Sequence, residues 1–304
     1  MKLVERSFEF DSVGARLRGT LVQATSRMDQ RRPCIVMAHG TSATVAMVAI
    51  EYARVFAAAG VTALVYDHRN FGLSGGEPRG EINPWVQCRG YVDALSWAAE
   101  RPDIDADRLA VWGDSYSAGE VILVAACDDR VRVVVAQCPV FGAEAPIANP
   151  THEAFESIVM TLREGNVSGP MDSSIGPLPV VSPDPWSMPS LLQPIQAYRW
   201  FIEYGGRPGS AWINRVTRVV PQTPVIYSPI LCAPWVRSKV MLMVAPEDEM
   251  RHANPVVTRQ AYDLIPGPKQ WVDIADGHFG LLYHPSARFR EATALQRDFL
   301  VDQL

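Results

Sequence analysis

The amino-acid sequence predicts an α/β fold, a mostly parallel, doubly wound sheet with an inserted cap. Three observations predict it. Short apolar runs at Cys34 to Ala38, Val61 to Tyr66, Leu109 to Trp112, Val131 to Ala136 and Val240 to Val244 lack polar alternation, as strands covered on both faces do. Helical periods lie between them, at Val48 to Ala59, Pro84 to Glu100, Ser117 to Ala126 and Val257 to Ile265. One long interval, 141 to 236, breaks this rhythm.

The elements follow in chain order. Residues 3 to 24 alternate apolar and polar positions around Gly14, which predicts an antiparallel hairpin at a sheet edge. Strand and helix then alternate, and right-handed crossovers put ligands at the carboxyl ends of the strands. Pro84 suits the first turn of its helix. The interval 141 to 236 is rich in proline and aromatic residues and reads as a cap of mixed helices and loops over the catalytic face; residues 1 to 140 and 237 to 304 form the core. Trp186, Trp200 and Trp212 are the cap aromatics expected to line a substrate pocket, with the cap's own core as the competing use of such side chains.

Composition narrows the class. The chain has 304 residues, 48% of them apolar, enough for a substantial core. A net charge of −5 offers no basic stripe for nucleic acid. The charged, alternating start lacks the unbroken apolar core of a secretory signal, and no run reaches the length of a membrane span; a cytoplasmic protein without a membrane partner is expected. The five cysteines are widely separated and read as buried free thiols. No Cys or His spacing fits a metal, and neither metal nor cofactor is expected. The composition is compatible with a homo-oligomer and does not set its size.

The chemistry centres on Gly113-Asp114-Ser115-Tyr116-Ser117, at the end of an apolar strand and the start of a helix. A sharp strand-to-helix turn strains the apex residue and tolerates only small neighbours two positions away, here Gly113 and Ser117. Such a turn exposes the Ser115 hydroxyl and sets the Tyr116 amide at a helix N-terminus, where it can hold an anion. The alternative use of Ser115 is a helix N-cap. A serine nucleophile needs a base, and the base needs an orienting acid. His278, on a glycine-flanked loop after the strand Trp271 to Ala275, is the candidate base, and Glu247-Asp248-Glu249 offers three carboxylates after the strand ending near Ala245. His39-Gly40-Thr41 follows the third strand and would supply a second oxyanion donor, the Thr41 amide; the His39 ring reads as structural. The glycine-rich segment from Asp67 to Gly76 lacks both the Lys-Ser/Thr of a P-loop and a dinucleotide fingerprint, so a buried Asp67 or Arg69 reads as a loop tether. Asp114 as nucleophile is disfavoured, because Trp112 and Tyr116 would then occupy the positions that exclude bulk.

From about residue 15 to its end the chain resembles the α/β-hydrolase superfamily, through His39-Gly40, Asp67-x-Arg69-x-x-Gly72-x-Ser74, Gly113-x-Ser115-x-Ser117, Asp248 and Gly277-His278 in that order. Within it, the Ser-x-Ser elbow, Ser74-Gly75-Gly76-Glu77-Pro78 and the run from Gly277 to Tyr283 look like bacterial esterases related to dienelactone hydrolases and acyl peptidases, and like fungal polyketide transferases. The resemblance implies the α/β-hydrolase fold and a serine esterase or thioesterase acting on a small-molecule ester or thioester. It implies Ser115, Asp248 and His278 as the triad, with Asp248 chosen from the three carboxylates by motif alignment. Dienelactone hydrolases use a cysteine where Ser115 stands. An acyltransferase, a C–C bond hydrolase using the same triad and a non-catalytic binding protein are the alternative readings.

Overall fold

The computed structural model describes residues 2–25, 30–146 and 149–304. The N-terminal hairpin pairs β1 (Leu3–Ser12) with β2 (Ala15–Ala24) through a two-residue turn at Val13 and Gly14, both with positive φ. After it come β3 (Arg32–Ala38), a π-helical turn (Val45–Ala49) running into α1 (Ile50–Ala58), β4 (Thr62–Tyr66), the short β5 (Glu81–Ile82), α2 (Pro84–Ala99), β6 (Ile104–Asp114), α3 (Tyr116–Cys127) and β7 (Val131–Gln137). The remainder holds α4 (His152–Glu164), β8 (Met171–Leu178), α5 (Ile195–Gly205), β9 (Val216–Pro221), α6 (Pro229–Cys232), β10 (Lys239–Val244), α7 (Pro255–Leu264), β11 (Lys269–Asp273), α8 (Gly277–Gly280) and α9 (Ala287–Gln303).

Eight strands form one sheet in the order β1-β2-β4-β3-β6-β7-β10-β11. The hairpin supplies the antiparallel edge, and from β4 to β11 every pairing is parallel. Central strands are buried on both faces because helices cover both. One apolar cluster gathers α2, α3 and α4 with alternate strand residues, and a second gathers α1, α5 and α9 with the others. The order of pairing reverses about β3 and β6, so the loops after these two strands open a crevice at their carboxyl ends.

The interval expected as mixed helices and loops also contains strands. β8 and β9 pair antiparallel, and β9 pairs parallel with β5, making a three-stranded sheet tied to the core through a strand from outside the interval. β8 escaped the sequence pattern because Met-Asp-Ser-Ser-Ile-Gly-Pro-Leu is almost wholly exposed and shows no apolar alternation. The aromatic residues of α5 pack onto the core: Trp200, Phe201 and Tyr204 belong to the same buried cluster as Ile35, Trp112 and Phe279. Ile158 of α4 and Ile230 of α6 join the opposite cluster. All five cysteines are buried free thiols, and no described helix is long and apolar enough to cross a membrane.

Candidate active site

Ser115 sits between β6 and α3 with φ 57° and ψ −114°, a conformation costly for any residue with a side chain. Close packing around the turn enforces it. A Cβ on Gly113 would lie 2.2 Å from the carbonyl oxygen of Ser117, so that position admits glycine alone. A Cβ on Gly40 would lie 2.7 Å from Ser115 Cβ and 3.0 Å from the Tyr116 nitrogen, so the loop after β3 presses directly against the serine. Thr41 follows with φ 49° and lines the cavity at Ser115. The Thr41 loop and the start of α3 thus both adjoin Ser115.

Ser117 has a second function besides being small. Its buried hydroxyl lies 3.0 Å from the His39 carbonyl, 2.9 Å from Glu120 Oε2 and 2.8 Å from His68 Nε2, tying the loops after β3 and β4 to the first turn of α3. Burial pushes the Glu120 carboxyl up to about 8 and the His68 imidazole down to about 3, so both are neutral at pH 7. Sequence reading missed Glu120, although a lone carboxylate in the otherwise apolar run from Ala118 to Cys127 was a visible signal. Asp67 is the tether expected of it. Its carboxylate accepts from the amides of Val45 and Leu73, both at 2.8 Å, and burial raises it to about 6 against those bonds.

His278 lies on α8, one turn of helix after β11, and Asp248 on the loop after β10. The His278 Nδ1 to Asp248 Oδ2 distance is 2.8 Å, with both side chains almost fully buried, and Asp248 Oδ1 accepts from the Met250 amide at 2.8 Å. Nδ1–H therefore donates to Asp248 and leaves Nε2 as the basic nitrogen. Burial disfavours the imidazolium, but the charges of Asp248, Asp114 and Glu249 outweigh it and raise His278 above its ordinary value. Of the three neighbouring carboxylates, Glu247 is exposed, whereas Glu249 is half-buried. Glu249 Oε2 accepts the His278 backbone N–H at 2.8 Å and holds the loop that carries the ring.

Ser115 and His278 face one cavity of about 10 Å³, lined also by His39, Thr41, Leu192, Trp200, Phe201, Met250 and Leu282. That is room for about one water. Trp200 is fully buried there, its indole N–H donating to the Leu282 carbonyl at 3.1 Å. Trp212 stands one layer away, against Phe201 and 3.3 Å from Ser42 Oγ. Trp212 and Trp186 thus both lie outside this lining, contrary to expectation; Trp186 is 95% exposed, on a turn that Asp184 caps at the surface. Sulfur, oxygen and nitrogen atoms of Cys138, Asp248 and His278 lie within 4.8 Å of one another, but burial pushes the Cys138 thiol well above its ordinary value and keeps it protonated.

The nearly complete overlay on a solved α/β hydrolase from Penicillium sp. sh18 decides the architecture, with a TM-score of 0.74 over 99% of both chains at 23% identity. The chain has the α/β-hydrolase fold. Residues 14–152 match the model of the X-Pro dipeptidyl-peptidase (S15) family. The chain is 42% identical to thiohydrolase apmlB of Arthrinium phaeospermum over 136 residues, a match spanning 44% of this chain and 43% of that protein. A thiohydrolase of Eupenicillium brefeldianum is 29% identical over 87% of this chain and 83% of its own length. Polyketide transferase claH of Penicillium crustosum is 27% identical over 97% and 96%.

Proposed function

We propose that this α/β hydrolase is a serine-dependent esterase or thioesterase that works through an acyl-enzyme. The observation that carries the reading is the strained Ser115, backed by the amides of the Thr41 loop and α3 and facing the same cavity as a buried His278–Asp248 pair. Ser115 Oγ attacks the carbonyl carbon of the substrate while His278 Nε2 takes its proton. Asp248 stabilises the resulting imidazolium, and the amides of Thr41 and Tyr116 hold the negative oxygen. Collapse of the tetrahedral intermediate breaks the carbonyl–oxygen or carbonyl–sulfur bond, and the imidazolium proton leaves with the alcohol or thiol. Water then attacks the acyl-enzyme, giving its proton to His278, and the acid departs as Ser115 regains its hydrogen.

The closed cavity favours a second reading of the same chemistry. Leu192, Trp200, Phe201 and Met250 roof the serine, so they must withdraw to admit a substrate, and on closing they keep bulk water from the acyl-enzyme. An alcohol or amine bound in place of water makes the enzyme an acyltransferase, as the name of the similar polyketide transferase has it. Purified protein is expected to hydrolyse short p-nitrophenyl esters and to be labelled by a fluorophosphonate, with both properties lost in Ser115→Ala. Hydrolysis undiminished in Ser115→Ala would overturn the serine mechanism.

A further inference from the structure

Thr41 lines the cavity at Ser115, and the next residue, Ser42, lines a second cavity of about 150 Å³. The two share no lining residue. Trp212, on the second cavity, packs against Phe201, on the catalytic one. Its indole is fixed in place: a Cβ on Gly205 of α5 would lie 2.2 Å from Cε3, and Nε1–H donates to Ser42 Oγ at 3.3 Å. The mechanism above uses no part of this second cavity.

Its lining carries charge of one sign. Arg79 and Arg215 line it, no carboxylate does, and neither guanidinium has a carboxylate ion-pair partner among the described residues. Arg79 is held by donating to the carbonyls of Ser74 at 2.5 Å and Gly72 at 2.8 Å, whereas Arg215 is exposed and its side chain makes no hydrogen bond among the described residues. Asp67, whose carboxyl feels the charge of Arg79, lies against Gly72 and accepts from the amides of Val45 and Leu73. Ser42 adds a neutral donor. Its side chain is almost fully buried, its oxygen accepts from Trp212, and its own hydrogen has no acceptor among the described residues.

In a chain of net charge −5, two guanidiniums without carboxylate partners around one concavity favour an anion. The rest of the wall selects among anions. Phe71, Trp212 and Ile213 give it apolar surface that a bare inorganic ion would leave uncovered, and about 150 Å³ holds a body the size of benzene. Arginines that merely face water need neither the cavity nor a fixed indole beside them. We propose that this cavity is a second binding site, separate from the one at Ser115, for a small organic carboxylate. Arg215, Arg79 and Ser42 hold the carboxylate, and its flat apolar body lies along Trp212.

The test is fluorine NMR of the full-length protein labelled with 6-fluorotryptophan and titrated with sodium benzoate at constant ionic strength. The chain has eight tryptophans, of which Trp212 reports on the second cavity and Trp200 on the catalytic one. Their resonances are assigned from Trp212→Phe and Trp200→Phe. Benzoate is expected to move the Trp212 resonance to saturation and to move Trp200 less. Arg215→Gln is expected to raise Kd about tenfold or more, the usual cost of losing a charged hydrogen-bond partner. Benzamide, of the same shape without the charge, and inorganic phosphate, charged without the apolar body, are each expected to bind at least tenfold more weakly. A Trp212 resonance that does not saturate, or a larger shift at Trp200, overturns the proposal. So does a Kd unchanged in Arg215→Gln, or benzamide or phosphate binding as tightly as benzoate. Should Arg215→Gln displace the other seven resonances before benzoate is added, Ile213→Asp is read in its place, because it sets a negative charge on an exposed part of the same wall. A tenfold or larger rise in Kd then supports the site, and an unchanged Kd overturns it.

Discussion

At the scale of single residues, the site combines strain with restraint. Ser115 is held at positive φ because Gly113 and Gly40 let the chain pack where any side chain would collide. Gly113→Ala therefore forces the elbow open. The Asp248 charge has a consequence for pH. On the proposed mechanism His278 acts as a base only when neutral, and its raised value moves the acidic limb of kcat/KM above the ordinary histidine range near 6.5. Asp248→Asn is expected to lower kcat by about four orders of magnitude, as loss of the orienting acid does in other triads. The limb of the residual activity, followed from pH 5 to 9 with a p-nitrophenyl ester, should also shift to lower pH. A limb that stays in place would show that Asp248 does not govern the ring. Most of these residues were legible in the sequence, since Ser115, His278, Asp248 and Thr41 each end a strand beside glycine or on an exit loop. Trp186 was misleading because an aromatic residue in the sequence carries no sign of whether its turn lies over the site or on the far surface.

At the scale of elements, two loops, those after β3 and β4, are joined to the first turn of α3 by Ser117, His68 and Glu120. Glu120 ties stability to pH in a direction opposite to that of a surface carboxylate, and His68 in the same direction. Native Glu120 keeps its proton up to about 8, whereas the unfolded chain loses it near 4.5. Its contribution is whole below pH 4.5 and falls away as the pH rises to about 8. His68 titrates near 3 in the native state and near 6.5 when unfolded, so its contribution is whole above 6.5 and is lost as the pH falls toward 3. Glu120→Gln keeps the shape and removes the titration. Thermal unfolding of the wild type is expected to drop in Tm from pH 5 to 8 more steeply than that of Glu120→Gln, and parallel curves would show that Glu120 is ionised in the native state. The main sheet was readable because its buried strands are continuous apolar runs and its helices carry a 3.6-residue period. The second sheet was not, because β8 is exposed and β5 is only two residues long. Such strands are specified by their partners and leave no pattern of their own.

At the scale of the whole molecule, the sheet places its crevice at the ends of β3 and β6, and α5 closes that crevice with side chains that belong to the core. Substrate size should therefore be governed by the residues over the serine. Phe201→Ala removes one wall of the cavity and is expected to raise kcat/KM for p-nitrophenyl hexanoate relative to acetate at least fivefold, at a stability cost of about 3 kcal/mol. An unchanged ratio in a folded variant would place acyl binding elsewhere. The fold was legible at this scale from the order of strand and helix alone; closure of the cavity was not, since it depends on how residues distant in sequence meet. The central claim, that Ser115 is an acylated nucleophile, is tested most directly by mass spectrometry of the protein quenched during turnover of a p-nitrophenyl ester. The account predicts an acyl adduct on the peptide containing Ser115, absent from Ser115→Ala. Ester turnover with the adduct on another residue, or undiminished turnover by Ser115→Ala, would contradict it.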